Sequence, residues 1–145
     1  RKPCDVNALA TAALYHDASE ILTGDLPTPI KYHNAEIMSA YHAVEDLAVQ
    51  KLLGMLPPEL RATYAAVLAE DKDGDIYPLV KAADKLSAYI KCIEERKAGN
   101  NEFLSAEAQT RAALDASPLP EVQYFLEHFI PAFERDLDEL GAIGQ

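Results

Sequence analysis

The chain has 145 residues, no tryptophan, two cysteines and six glycines, and each scarcity excludes a class of protein. Cys4 and Cys92 are too few for a disulfide framework, and their spacing fits no zinc pattern. Such usage suits a reducing cytoplasm, with Cys92 expected in the core and Cys4 incidental. A membrane helix needs about 20 mostly apolar residues. No run approaches that, no charged-then-apolar signal segment opens the chain, and no membrane partner is expected. Glycine-rich phosphate loops, internal repeats, low-complexity tracts and strand-like alternation are also missing. Positive charge is scarce as well: 13 Lys and Arg face 24 Asp and Glu, for a formal net charge of −11. That balance disfavours a nucleic-acid polymer as partner, because phosphate neutralisation by basic side chains supplies most non-specific affinity. A single small phosphate ester could still enter beside a divalent cation.

What the sequence does contain is helical periodicity punctuated by proline and glycine. A lead-in over 1–7, with Asp5 or Asn7 as N-cap, precedes an alanine-rich helix over 8–22 that reads as central and surrounded by others. It stops at Gly24, and Pro27 and Pro29 stiffen the exit. A second helix over 36–53 carries Ile37, Tyr41, Val44, Ala48 and Leu52 at spacings of three and four, with Gly54 expected as a left-handed cap. Pro57 and Pro58 restart the chain into a short packing helix bearing Leu60, Tyr64, Val67 and Leu68. The acidic stretch Asp71-Lys72-Asp73-Gly74-Asp75 lacks calcium-loop spacing and reads as an exposed turn. A helix over 76–97 follows, with an apolar stripe at 79, 83, 86 and 90 and an outer face of Lys91, Glu94, Glu95, Arg96 and Lys97 read as solvated surface. Gly99 ends it. Helices over 105–116 and 121–140 complete the chain, the last kinked at Pro131. His33, His42 and His128 read as surface residues. The expected fold is all-α, a single-domain bundle of about six helices over 1–145, which is an ordinary domain size.

One stretch breaks the apolar pattern. His16 and Asp17 stand side by side directly after the apolar run 8–15, where burying ionisable groups costs several kcal/mol unless they are paired or hold a metal. On a regular helix Glu20 shares the face of His16, and Asp17 lies about 100° around it. A second acid, Asp84, falls at the edge of the later apolar stripe.

The order His-Asp followed by a distant Asp on a later helix resembles the HD-domain metal phosphohydrolases. The strings Tyr15-His16-Asp17-Ala18-Ser19-Glu20, Leu22-Thr23-Gly24-Asp25-Leu26-Pro27-Thr28-Pro29, Glu94-Glu95 and Ala98-Gly99-Asn100-Asn101-Glu102-Phe103-Leu104 are similar to the bacterial 5′-deoxynucleotidase (YfbR-like) branch, from about Leu9 to about Leu140. The resemblance implies an HD-domain helical fold and a divalent ion held by His16, Asp17 and Asp84 together with a histidine upstream of the His-Asp pair. No histidine precedes His16 here, nor does the Arg-Trp pair that the family uses for phosphate orientation and deoxyribose selection. Since the chain opens at Arg1 without Met, it is expected to be trimmed at its N-terminal side.

Histidine and carboxylate ligands with oxygen in the majority suit Co, Mn, Mg or Fe better than a thiolate-seeking ion. Such an ion lowers the pKa of bound water and neutralises phosphoryl charge. Glu20 is the expected acid-base residue. By resemblance Asp25 acts near the water, and Asp17, Asp25, Leu26, Pro27, Thr28 and Asp84 contact the nucleotide. The activity implied is removal of the 5′-phosphate from deoxynucleoside 5′-monophosphates by a cytoplasmic, homodimeric enzyme. Two other readings are an HD hydrolase acting on a cyclic or polyphosphorylated nucleotide, and a non-catalytic helical scaffold.

Overall fold

Among the described residues, 3–27, 30, 33–69 and 74–141 of a computed structural model, the backbone forms nine helical segments and no strand. Six of them have nine residues or more, the all-α bundle that periodicity predicts. The chain divides into two compact units, Arg1–Val80 and Lys81–Gln145.

In the first unit α1 spans Val6–Tyr15, capped by the Asp5 carboxylate, which accepts from the amides of Asn7 and Ala8 at 3.0 Å. The helix expected over 8–22 is not continuous. After Tyr15 the turn tightens: Ala18 N donates to Tyr15 O, and Glu20 N to Asp17 O at 2.9 Å, both i→i−3 bonds. A short α2, Glu20–Thr23, follows and ends at Gly24, whose φ of 71° only glycine adopts readily. The central position expected for this segment is not observed. No α1 residue is buried, and Leu14 and Ile21 are each 76% exposed. With apolar residues all round, α1 is half-buried at Ala8, Leu9, Ala12, Ala13 and Tyr15 and packs chiefly against the helix Pro58–Leu68.

Helix α3, Ala35–Met55, is capped by Asn34 and runs through Gly54 instead of stopping there. Gly54 has no positive φ; the helix ends because Pro57 approaches, and Arg61 of α4 (Pro58–Leu68) donates to the free carbonyls of Leu56 at 2.9 Å and Gly54 at 3.3 Å. Val44 is 48% exposed, whereas Ala48 is buried as the spacing predicts. Asp71, Lys72 and Asp73 of the acidic turn lie outside the described residues; Asp75 is exposed.

Helix α5, Tyr77–Lys97, leads into the second unit, whose core is Leu86, Tyr89, Ile93, Leu114, Val122, Leu126 and Ile130. Its stripe is rotated from the expected 79, 83, 86, 90. Leu86, Tyr89 and Ile93 are buried, with Ala82 and Ile90 packed beside them, while Ala83 is exposed. At about 100° per residue, Asp84 therefore lies opposite Ile93 and only about 40° from Val80, not at the stripe's edge. Gly99, at φ 86°, terminates α5 in a Schellman motif: Asn100 N donates to Glu95 O and Gly99 N to Arg96 O.

The charged end of α5 is not ordinary solvated surface. Arg96 forks onto Glu107 of α6 (Leu104–Asp115) at 3.0 Å and onto Glu134 at 2.8 Å, and Lys97 donates to the carbonyls of Phe133 and Arg135. Asn100, at the turn, donates to Glu95 and accepts from Glu102 N. The kinked helix expected over 121–140 is broken into α7 (Pro120–His128), α8 (Ile130–Phe133) and α9 (Leu137–Gly141), because Pro131 offers no amide to continue the ladder. The break turns Phe129 outward to 50% exposure and seats Ile130 in the core. His33 and His128 are exposed as expected, and His42 is half-buried.

Candidate active site

The site is built where α1 ends. His16 is the C-cap of α1, and its Nδ1 lies 2.7 Å from the carbonyl oxygen of Ala13. A carbonyl only accepts, so Nδ1 carries the hydrogen and Nε2 holds the lone pair of the neutral ring. Nε2 is buried and lies 2.9 Å from Asp17 Oδ2. Two lone pairs facing each other at that distance repel unless a positive charge is shared between them, either a second ring proton or a cation. The donor chemistry of this His/Asp pair thus fits a divalent metal ion, each residue offering one ligand atom. The His16 side chain is 16% exposed and that of Asp17 51%, so one ligand is anchored in protein and the other reaches outward.

The tightened turn over 16–19 changes which groups align. The i→i−3 bond from Glu20 N to Asp17 O brings the Glu20 backbone round toward the side of Asp17 and away from His16. Glu20 is half-buried, and Ser19 beside it is the one buried polar residue of the described chain, 8% exposed. Beyond α2, Asp25 and Pro27 are exposed and Leu26 is half-buried; Thr28 lies outside the described residues.

Beside His16 a cavity of about 600 Å³ opens along α1, lined by Ala8, Ala12, Tyr15, Val67, Tyr77 and Val80 among others. Asp25, Leu26 and Pro27 are not among its lining residues. Tyr15 packs edge-on against Tyr64, ring centroids 6.1 Å apart, and the neighbouring Tyr64 phenol holds the Tyr15 hydroxyl above its usual pKa. Tyr64, expected only to pack, thus also bears on the phenol of Tyr15 at the cavity wall. Asp84 is exposed on α5, one turn after Val80.

A helical fold with an adjacent His-Asp pair at a helix end has the features of the HD-domain phosphohydrolases, and a solved structure agrees. An HD-domain phosphohydrolase from Listeria innocua matches with a TM-score of 0.75 at 26% identity, over 91% of this chain and 65% of that one, so the chain spans about two thirds of that neighbour's length. Within that class the chain belongs to the family described as 5′-deoxynucleotidase YfbR-like, which it matches over residues 1–133. Its curated relatives include the 5′-deoxynucleotidase YfbR of Shigella flexneri, 52% identical over 140 residues, covering 94% of this chain and 70% of the relative. The protein of the same name from Escherichia coli K12 is 51% identical over the same share of each.

Proposed function

We infer that this chain is a phosphoric monoester hydrolase that removes the 5′-phosphate from deoxynucleoside 5′-monophosphates with the help of a divalent cation. The observation that carries the reading is its 52% identity, over 94% of its length, to proteins named 5′-deoxynucleotidase. The His16–Asp17 geometry supports it independently, because a paired imidazole lone pair and carboxylate call for a cation.

In this reading His16, Asp17 and Asp84 hold the metal, as Co, Mn, Mg or Fe. Asp84 is included because an Asp on a later helix, following the His-Asp pair, is the remaining carboxylate of the HD-domain pattern that this sequence resembles. Bound there, the ion would acidify a water and offset phosphoryl charge. The remaining work belongs to the chain. Ala13 O fixes the His16 tautomer through Nδ1–H, keeping Nε2 ready to ligate. Glu20, brought round toward the side of Asp17 by the tight turn, takes the proton of the attacking water or returns one to the leaving 5′ oxygen. Asp17 and Asp84 also face the phosphoryl group, and Asp25, Leu26, Pro27 and Thr28 contact the nucleotide, Asp25 nearest the water. Positioning and charge stabilisation supply most of the rate in phosphoryl transfer, so no covalent intermediate is required.

Residues 1–145 act as one HD domain in a cytoplasmic homodimer. The free thiols of Cys4 and Cys92 support the compartment, and the exposed Leu14, Ile21 and Leu47 supply apolar surface for a partner copy. Among the described residues no helix is long and apolar enough to cross a membrane.

Phosphate release from dAMP, dGMP, dCMP and TMP in Co, Mn or Mg, with AMP and a deoxynucleoside 3′-phosphate as controls, tests the activity. Release from the 5′-deoxy substrates alone is expected. Release only from cyclic or polyphosphorylated nucleotides would reassign the substrate, and no metal-dependent turnover on any of them would leave a scaffold.

A further inference from the structure

We propose that Tyr41, on α3, is a positioning residue for Asp25. Its phenolic hydroxyl donates to the carbonyl oxygen of Gly24 at 3.0 Å across a sequence separation of 17 residues. The same oxygen lies 3.0 Å from Thr23 Oγ1, whose single hydrogen has Gly24 O as its nearer acceptor and Ser19 O as its farther one at 3.4 Å. Gly24 N is occupied too, donating to Glu20 O at 2.9 Å. The plane of the Gly24–Asp25 peptide is therefore fixed from two sides, by Thr23 within α2 and by Tyr41 from a neighbouring helix.

The restraint falls where the backbone would otherwise be freest. Gly24 has φ 71° and ψ 162°, in territory that glycine enters readily and other residues avoid, and a Cβ there would meet nothing within 4 Å. Local packing thus does not dictate the direction in which the chain leaves α2; hydrogen bonds to the carbonyl do. Because peptide units are planar, holding that oxygen also sets the Asp25 N–H and the course of its Cα. An exposed carboxylate on such a turn keeps one orientation only if its backbone is held, and misplacement by about 1 Å can cost a hundredfold in rate. α2 packs on α3, which makes the half-buried Tyr41 a rigid post for this purpose.

The proposal rests on the reading that Asp25 contacts the substrate near the attacking water. Its test is Tyr41→Phe in the full chain with Co or Mn, reading kcat and KM for dAMP, the metal-induced rise in melting midpoint, and amide hydrogen exchange. Loss of one hydrogen bond of ordinary net strength predicts a kcat about fivefold lower with KM little changed. Metal should still raise the midpoint by the wild-type amount, and faster exchange should be confined to residues 24–27. Turnover within twofold of wild type overturns the proposal. So does a slower enzyme whose exchange rises along all of α3 or whose metal response is lost, since Tyr41 would then be merely structural. A wild-type chain inactive on every deoxynucleoside monophosphate removes the functional reading itself, whereas an active one with an unaffected Tyr41→Phe removes only the role of Tyr41.

Discussion

His16 Nε2 stands 2.9 Å from Asp17 Oδ2 while the other ring nitrogen of His16 is bound to Ala13 O. The imidazole is thereby committed at one end and charged with a carboxylate at the other. Two acidic or lone-pair groups held together this way are stabilised by any cation that joins them. A ligand binding only the folded state raises its stability in proportion to the logarithm of its concentration over Kd. Co or Mn at about 100 times Kd should therefore add about 2.7 kcal/mol to folding, and His16→Ala should abolish the increment. A thermal melt with and without metal reads both, and an undiminished increment in His16→Ala would remove this residue from the ligand set.

Glu20 and Asp84 should separate by the same pair of readouts. Glu20 is assigned to proton transfer, so Glu20→Ala is expected to keep the metal-induced stabilisation and lose about 10² to 10⁴ in kcat. Asp84 is assigned as a ligand, so Asp84→Ala should lose both. Metal-dependent turnover that survives in Asp84→Ala would exclude it, and a Glu20→Ala chain that no longer binds metal would make Glu20 a ligand instead.

The helices were legible because apolar spacing and proline or glycine stops are local signals, and the His16–Asp17 pair was legible because it interrupts an apolar run. Other features had no local signal. Ala18, Ser19 and Glu20 are all compatible with a regular helix, so nothing marks the turn that tightens over 16–19 and brings Glu20 round toward Asp17. Gly54 looked like a cap, but a glycine mid-helix costs only about 1 kcal/mol, and Arg61 collects the carbonyls that a cap would have satisfied. On α5 two stripes sharing Leu86 both satisfy helical spacing, 79–83–86–90 and 82–86–89–93. The partners Leu114, Val122 and Leu126 select the second, and that choice leaves Asp84 on the side of α5 away from this core. Phe129 yields to Ile130 in the core for a similar reason: the α7–α8 break falls at Phe129, which caps both helices.

Arg96 shows how far apart in sequence such determinants lie, since its carboxylate partners are 11 and 38 residues away. The fork onto Glu107, whose side chain is 15% exposed, is the stronger half, because water screens the more open contact with Glu134 at 40%. Arg96→Met would leave the Glu107 carboxylate half-buried without its partner. Because Arg96 is itself about one-third exposed, water screens part of the loss, and the expected outcome is a lower melting midpoint without loss of the fold. Arg96→Lys should fall between, keeping the charge but not the two-pronged geometry. Glu134→Gln should cost less than Glu107→Gln; the reverse order by chemical denaturation would contradict the assignment.

The carboxyl of Glu95 gives the pH dependence a sign. The Asn100 amide, and after it Lys91, hold this group below the usual glutamate range, outweighing a small opposing effect of burial. A carboxyl whose folded pKa lies below its unfolded value contributes stability that is complete above the unfolded value, about 4.3, and that fades as pH falls through the folded one. Glu95→Gln removes the titration. The difference in melting midpoint between wild type and Glu95→Gln, measured without metal, should accordingly be constant above about pH 5.5 and shrink below about pH 4. Asn100→Ala should flatten the same segment of the curve, because it withdraws the first of the groups that favour the charged form and loosens the turn that follows Gly99. A difference that persists unchanged to the acid limit would mean that Glu95 stabilises the α5 terminus by shape and hydrogen bonding alone, with no contribution from its charge.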